Sequence, residues 1–153
     1  MENVQKIMEH KQLRYDNLYL DIAKRVAEMS HAVRAKVGCV IVFKDGTMSS
    51  GWNGMPSGMD NCCEHYEDAG LMGGTLVTNP EVSHAEENAI SKIAKSHHSS
   101  NGATAYVTLE PCMHCAKLLY SAGITRVVIG EMYKSHVGTE FLRERGIEVS
   151  FLL

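Results

Sequence analysis

The chain has 153 residues, 44% of them hydrophobic and 22% charged, which is enough for one compact domain with a buried core. We therefore expect a single domain over residues 1–153. The net charge of −3 gives no general attraction to nucleic acids or anionic membranes, so we expect neither as a partner. A small anionic ligand would need a local pocket of cationic or N–H groups.

The sequence gives no sign of a leader segment or of a disulfide framework. No apolar run approaches the ~20 residues of a membrane-spanning helix, and residues 1–6 lack the charged and apolar regions of a signal peptide. The five cysteines are odd in number and clustered, unlike those of a disulfide-rich secreted protein. We expect a cytoplasmic protein, or one of the host cytoplasm if the source is a virus.

Hydrophobic spacing predicts helices and strands in the first half of the chain. Apolar residues at helical spacing predict a helix from about Gln12 to Ser30. The apolar run Val37–Phe43, a turn and the segment Thr47–Trp52 predict a β-hairpin. The insert of about 25 residues before the next helix predicts a long functional loop, with a mobile segment at Gly70–Gly74.

Helices and strands alternate in the second half of the chain. The predicted elements are a helix from Ser83, a strand at Ala103–Leu109, a helix at Cys112–Ala122, a strand at Arg126–Gly130, a helix at Ser135–Arg145 and a strand at Ile147–Leu152. This order predicts an α/β fold, a three-layer α/β/α sandwich around a mixed sheet of about five strands. Ligands of such sheets bind where strand ends meet helix N-termini.

Two separated motifs carry metal-binding chemistry. His84 and the pair Cys112 and Cys115 are the donors that a tetrahedral Zn²⁺ needs if its fourth position is to stay open for water. Pro111 suits the first turn of a helix, from which both sulfurs could face one point. The order H-x-E…P-C-x-x-C is the signature of zinc-dependent nucleobase deaminases, which this chain therefore resembles.

Glu86 is predicted to carry protons and not to bind the metal. In an ideal helix it points about 200° away from His84, but it could approach the bound water from the side. Ser83 and Glu86 also have the spacing of a capping box. A Glu86 side chain that serves the metal-bound water could not also close that box fully, and the sequence leaves this conflict open. The alternatives are a redox C-x-x-C pair, half of a structural zinc site, or a non-catalytic zinc module with His114 as fourth ligand, although a helix would point His114 away.

Longer matching segments indicate which group of these deaminases the chain resembles most. They are Lys36–Gly38, Gly51–Gly58, His84–Ile90, Tyr106–Thr108 and Pro111–Lys117. On these residues the chain resembles the cytidine deaminase-like superfamily, and most of all the deoxycytidylate (dCMP) deaminases, because of its Gly-Trp-Asn-Gly-Met-Pro-Ser-Gly loop. By composition alone that loop could equally be an ordinary turn. The segment Thr108–Cys112 is also similar to bacterial tRNA adenosine deaminases, but an acidic chain is a poor tRNA binder.

The resemblance implies hydrolysis of dCMP to dUMP and ammonia, which would supply dUMP for dTMP synthesis. It implies one catalytic Zn²⁺ held by His84, Cys112 and Cys115, with a water of lowered pKa that attacks C4 as hydroxide. Glu86 would take the proton of that water, deliver it to N3 and then pass a proton to the leaving amine.

The resemblance also implies substrate and effector contacts. Asn53 is a candidate for the deoxyribose hydroxyl, Tyr133 for the phosphate, and Asn88 for substrate binding or support of the pocket, with packing or capping as its alternative. Relatives of this type are typically homohexamers activated by dCTP and inhibited by dTTP, so we expect a homo-oligomer, with Mg²⁺ accompanying these nucleotides. The effector residues expected from the glycine-rich loop are Asn53, Gly54, Pro56 and Gly58.

A second, structural zinc, which some phage relatives possess, is not expected. The donors available for it are Cys62, Cys63, His65, His97 and His98. By alignment, however, the cysteine that those relatives supply before the first strand is replaced here by Ala32 or Val33, and an acidic residue is replaced by Val82.

Overall fold

The computed structural model describes every residue from Met1 to Leu153. Its α-helices are α1 Glu2–Ala27, α2 Ala85–Ala94, α3 Met113–Ser121 and α4 Val137–Glu144. Its strands are β1 Gly38–Val42, β2 Met48–Trp52, β3 Glu64–Asp68, β4 Gly74–Thr78, β5 Thr104–Val107, β6 Arg126–Ile129 and β7 Glu148–Phe151. None of the helices combines the length and the apolarity needed to cross a lipid bilayer.

Five strands form one mixed sheet in the order β2-β1-β5-β6-β7. Strand β1 runs antiparallel to both of its neighbours, whereas β5, β6 and β7 are parallel to one another. Antiparallel neighbours can be joined by a tight turn, and parallel neighbours need a crossover, which α3 and then α4 provide here. The predicted five-stranded mixed sheet with an initial hairpin is confirmed.

Alternate residues of the central strands face two separate helical layers, because successive side chains of a strand point to opposite faces. On one face, Val40, Tyr106 and Val128 pack with Leu20 and Ala23 of α1. The other face packs against α2, α3 and α4 in a larger cluster. The sheet residues of that cluster are Cys39, Ile41, Ala105, Val107, Val127 and Ile129. The protein is therefore the predicted three-layer α/β/α sandwich.

Helix α1 is longer than its hydrophobic pattern predicts. It begins at Glu2 and not near Gln12, and its first buried residue is Asp16. Arg126 of β6 donates to both carboxylate oxygens of Asp16 at 2.7 and 2.8 Å, and Tyr106 donates to one of them at 2.8 Å. Burial alone would raise the pKa of Asp16, but its hydrogen bonds, chiefly that from Arg126, outweigh burial and lower the pKa. This network fixes the second half of α1 on the sheet.

The long insert contains a second, two-stranded sheet, so the prediction that it is a loop is wrong. Strands β3 and β4 pair antiparallel over five residues each. The segment Gly70–Met72, where a mobile stretch was expected at Gly70–Gly74, forms a single 3₁₀ turn between them. The composition of Glu64–Asp68 shows no apolar alternation, so this strand depends on its pairing with β4 and leaves little local signal.

Four connecting segments converge at one edge of the main sheet. Strand β1 runs in the opposite direction to β2, β5 and β6. The chain segment before β1 therefore lies at the same edge of the sheet as the segments that follow β2, β5 and β6. The N-terminus of α2 is joined to this edge by a bridge between Gly54 and Ser83. The predicted crevice between strand ends and helix N-termini is located here.

Candidate metal centre and the cavity beside it

Three side chains from the two halves of the chain meet at one point. The Nδ1 atom of His84 lies 3.7 Å from Sγ of Cys112 and 3.3 Å from Sγ of Cys115, and the three atoms lie within 4.8 Å of one another. Ligand atoms of a tetrahedral zinc site are about 3.6 Å apart, given Zn–S bonds of about 2.3 Å and Zn–N bonds of about 2.0 Å. The donor types and their separations therefore fit Zn²⁺.

Two helix N-termini hold these donors. His84 and Cys112 are the N-cap residues of α2 and α3, with extended backbones at ψ 162° and 169°, and Cys115 lies in the first turn of α3. Both helices begin one residue later than predicted, so Ser83 is not the cap of α2 and Pro111 precedes the cap of α3. The positive end of the α3 dipole lies at Cys112, which favours its thiolate form.

The N-terminus of α2 is capped by Glu87 and not by Glu86. The Glu87 carboxylate accepts the N–H of His84 at 2.5 Å, which is the return bond of a capping box. Its other oxygen lies 3.0 Å from Nε2 of His114, so the same carboxylate links α2 to α3. Because the extended backbone of His84 shifts the cap by one residue, Glu86 stays free of it, and the conflict raised by the sequence disappears.

Glu86 lies beside the metal centre in a buried position. It is 3% exposed and lines the same cavity as His84 and Cys112. Burial raises the pKa of Glu86 above its ordinary value. A carboxyl group in this place can accept a proton from a ligand of the cavity and return it there.

The cluster itself stabilises charge separation between sulfur and nitrogen. Hydrogen bonds from Cys115 and then from His84 lower the pKa of the Cys112 thiol to about 3. The contact with Cys112 raises the pKa of His84 to about 9, and the hydrogen bond to Cys112 also raises the pKa of Cys115. The thiolate form of Cys112, which is the form that binds zinc, is therefore favoured.

A cavity of about 450 Å³ opens beside the metal centre. Its lining includes three residues of the motif and two cations, Arg34 and Lys134. The predicted substrate residues Asn53 and Tyr133 line the same cavity. Two cations that an anionic ligand could contact thus line the cavity, together with the buried acids Glu64, Glu86 and Glu110.

Asn53 also fixes the chain segment that precedes β1. Its side-chain amide accepts the N–H of Val37 and donates to the C=O of Ala35, each at 2.8 Å. Its backbone C=O accepts the Ser30 hydroxyl at 2.7 Å. Asn53 therefore shapes one wall of the cavity, in addition to any contact that it makes with a ligand.

The other predicted contact residues lie away from the cavity. The Asn88 amide donates to the C=O of Trp52 at 2.7 Å, so it joins α2 to the end of β2 and does not line the cavity. The geometry supports the packing alternative for this residue. Gly54, Pro56 and Gly58 do not line the cavity either, and Gly58 adopts a φ of 88° within a turn.

The β3–β4 hairpin forms a wall of the cavity that the sequence pattern does not reveal. Glu64 is buried, and its Oε1 accepts the N–H groups of Val33 and Arg34 at 2.9 and 3.1 Å. The Arg34 guanidinium donates to the Thr78 hydroxyl at 3.0 Å. Both hairpin residues line the cavity. The hairpin thus positions Arg34 through contacts between residues that are 30 to 44 positions apart in the sequence.

Glu110 is a further residue of the site that motif spacing does not single out. It is 4% exposed and accepts the Tyr133 N–H at 3.0 Å, Nδ1 of His136 at 3.0 Å and the hydroxyl of Thr139. Burial alone would raise its pKa, but these hydrogen bonds outweigh burial and lower the pKa. Since Glu110 stands two residues before Cys112, it ties the loop after β6 to the start of α3.

The residues considered for a second zinc do not form a cluster. The sulfurs of Cys62 and Cys63 contact backbone carbonyl groups at 3.2 and 3.6 Å. His98 stacks on Phe43 with ring centroids 4.7 Å apart. The group around His84 is the one place where three or more potential metal donors come together.

Comparison with known proteins identifies the family. A family model described as the cytidine and deoxycytidylate deaminase zinc-binding region matches residues 13–131. The chain belongs to this family. Its resemblance to the family, inferred from sequence motifs, is thereby confirmed.

Individual relatives cover most of the chain. The chain is 34% identical to the deoxycytidylate deaminase of Enterobacteria phage T4, over 85% of this chain and 86% of that protein. It is 35% identical to the deoxycytidylate deaminase of Mycobacterium phage D29, over 74% of this chain and 92% of that protein. The crystal structure of dCMP deaminase from cyanophage S-TIM5 in complex with dCMP and dUMP aligns with a TM-score of 0.81 at 35% identity, covering 91% of this chain and 97% of that one.

We expect the purified protein to contain about one zinc ion per chain, and the Cys115→Ser variant to lose most of it, because a hydroxyl binds zinc less well than a thiolate. Elemental analysis of the dialysed protein measures the ratio. Cys62→Ser is the matched control, since Cys62 is exposed and lies outside the cluster, and it should retain the wild-type zinc content. Equal zinc contents in the two variants would contradict the assignment of the ligands.

Proposed function

We propose that the protein is a zinc-dependent deaminase that hydrolyses dCMP to dUMP and ammonia. The observation that carries this proposal is the presence of the His84 cluster, the buried Glu86 and two cations around a single cavity. Relatives over most of the chain carry the name deoxycytidylate deaminase, and a cyanophage relative has been crystallised with dCMP and dUMP. The chemistry of the site and the family relationship support the same reaction.

The metal centre prepares the nucleophile. His84, Cys112 and Cys115 would hold the zinc, which when bound supplies the Lewis acidity that makes water a nucleophile near neutral pH. The contribution of the chain is to fix three ligands on two helix N-termini and to leave one side of the centre open toward the cavity. Glu87 holds the backbone of His84 in place for this purpose.

Glu86 moves the protons in the proposed reaction. It would accept a proton from the attacking water and deliver it to N3 of the cytosine ring. It would then take the remaining proton from the hydroxyl group added at C4 and carry it to the 4-amino group, which leaves as ammonia while the C4 carbonyl of dUMP forms. The carboxyl group is 3% exposed, so bulk water has little access to it. Protons can therefore pass between the carboxyl group and the substrate without exchange with solvent at each step.

We assign the substrate phosphate to Arg34 and Lys134, together with Tyr133. Guanidinium and ammonium groups form charge-assisted hydrogen bonds with phosphate oxygens, and both groups line the cavity. Arg34 is already oriented by its hydrogen bond to Thr78. We assign the deoxyribose hydroxyl to Asn53, which lines the same cavity.

A tRNA substrate, the alternative raised by the sequence, has less support. Proteins that bind a nucleic-acid backbone neutralise several phosphates with surface Lys and Arg side chains, and this chain has a net charge of −3. The cavity of about 450 Å³ falls in the range typical of small-molecule sites. Both features favour a single nucleotide.

Replacing Glu86 by Gln should keep the zinc content and lower kcat for dCMP by about 10²–10⁴-fold, because an amide cannot carry the proton. Ammonia release from dCMP measures the rate. Glu87→Gln is the matched control: its amide oxygen can still accept the His84 N–H, so we expect it to keep most of its activity. Full activity of the Glu86→Gln variant would refute the proposed proton transfer.

Replacing Lys134 by Gln should lower kcat/KM for dCMP by about 10-fold or more, because a hydrogen bond to a charged group contributes about 1.5–3 kcal/mol. Deoxycytidine lacks the phosphate, so its kcat/KM should change little. The control is Lys95→Gln, at the end of α2. Tyr133→Phe is a second test variant, and its kcat/KM is measured with dCMP and with deoxycytidine as well. Equal losses for dCMP and deoxycytidine would rule out the phosphate contact.

We also propose regulation, on the basis of the family resemblance alone. The active form would be a homo-oligomer, with a hexamer favoured, activated by dCTP and inhibited by dTTP with Mg²⁺. It would supply dUMP for dTMP synthesis in the cytoplasm. The proposed effector contacts are Asn53, Gly54, Pro56 and Gly58. We expect dCTP to convert a sigmoidal dCMP saturation curve into a hyperbolic one, and a curve that neither nucleotide changes would remove this part of the proposal.

A further inference from the structure

Helix α1 projects beyond the body of the protein. It has 26 residues, which corresponds to a length of about 39 Å. Its first buried residue is Asp16, and residues 2–15 are all exposed. Because a helical segment of this length is only marginally stable in water by itself, contact with another surface would stabilise it.

The exposed side of α1 carries a line of apolar side chains, which we call the apolar stripe. The stripe consists of Val4, Met8, Tyr15, Leu18 and Ile22. An α-helix turns by about 100° per residue, so these five positions fall within about 40° of one line along the helix. The buried residues of α1 lie about 120° around the helix from this line. The first four side chains are 61, 66, 44 and 50% exposed. Lys11 is the one charged residue on the line, and its aliphatic stem can cover apolar surface.

We propose that the apolar stripe is an interface with a second copy of this chain, in which two α1 helices pack antiparallel about a two-fold axis near Leu18. This register places Tyr15 opposite Ile22 of the second copy. It also places Met8 opposite Met29, which is 59% exposed just after the end of the helix. Apolar residues then meet on both sides of the axis, as a self-complementary two-fold contact requires.

Charges beside the stripe complement one another in the same register. Arg14 and Asp21 lie on one flank, about 80° and 100° from the line, so antiparallel pairing brings Arg14 of each copy close to Asp21 of the other. Arg14 has no ion pair within its own chain, and Asp21 has one exposed contact, with Lys24 at 3.7 Å. A parallel two-fold pair would instead place Arg14 of one copy and Asp21 of the other on opposite sides of the contact, where they could not pair. Charge complementarity therefore favours a second, antiparallel copy.

A membrane surface matches this helix less well than a second copy does. Amphipathic helices that lie on membranes carry mostly Lys and Arg on their polar face. Acidic and basic residues are interspersed along α1, with Glu2 and Glu9 in its projecting half. An anionic lipid surface would therefore repel part of the helix, whereas a second copy offers charges of both signs.

The first experiment places a charge in the stripe. Leu18→Glu and Met8→Glu should each raise the dissociation constant at least about 10-fold and halve the mass of the particle at micromolar concentration, because burying an unpaired carboxylate is costly. Leu13→Glu is the matched control, since Leu13 is 47% exposed but lies about 180° from the stripe. Sedimentation equilibrium measures the masses. Met8 lies outside the folded core, so its variant reports on association even if Leu18→Glu affects folding.

The second experiment tests the register. Arg14→Asp and Asp21→Arg should each raise the dissociation constant about 5-fold or more, because each change creates two like-charge contacts in the dimer, and the double variant should recover the wild-type value. A monomeric wild type, an unchanged mass in both stripe variants, or a double variant no better than the single ones would overturn the proposal. So would a monomer that binds phosphatidylserine vesicles through the stripe. No outcome depends on the catalytic residues, so failure of this proposal would leave the proposed reaction untouched, whereas a monomeric wild type would also contradict the homo-oligomer proposed above.

Discussion

The metal centre depends on close backbone approach at two glycines. A Cβ atom at Gly51 would lie 2.4 Å from the C=O of Ala85 in the first turn of α2. A Cβ atom at Gly138 would lie 2.2 Å from the C=O of Pro111, just before α3. Without side chains at these positions, β2 can contact α2 and α4 can contact the start of α3. Gly51, which lies in β2 at the start of the Gly51–Gly58 segment, therefore serves the packing of α2 on the sheet, which in turn determines where His84 lies.

The sequence predicts the features that rest on local patterns. Alternating and continuous apolar runs predict the five-stranded sheet, and the C-x-x-C spacing with a distant His predicts the three donors that the structure brings together. The position of the cap could not be predicted in this way. Ser83 has a higher N-cap propensity than His84, yet α2 starts one residue later, because His84 must keep an extended backbone to face the sulfurs. Glu87, and not Glu86, then accepts the N–H group of the cap.

Other parts of the site depend on non-local contacts, which leave no periodic trace in a sequence. The carboxylate of Glu64 bonds to N–H groups 30 and 31 residues earlier, and the hairpin that carries it has a composition that disfavours strands. The partners of Glu110 lie 23 to 29 residues later. Both residues are buried acids whose roles become visible only when their donors are known. Arg34 and Lys134 were missed for the same reason, since isolated cations are common on protein surfaces.

Glu110 couples the two sides of the cavity. It stands two residues before the ligand Cys112, and it holds the backbone of Tyr133, next to Lys134. Leaving a buried polar group without a partner costs about 1–3 kcal/mol, so the loop after β6 and the start of α3 resist separate movement. Arg34 reaches the cavity by an independent route, through the hairpin. Arg34 thus lies on a segment that is separate from the metal donors, whereas Lys134 is tied to the start of α3 through Glu110.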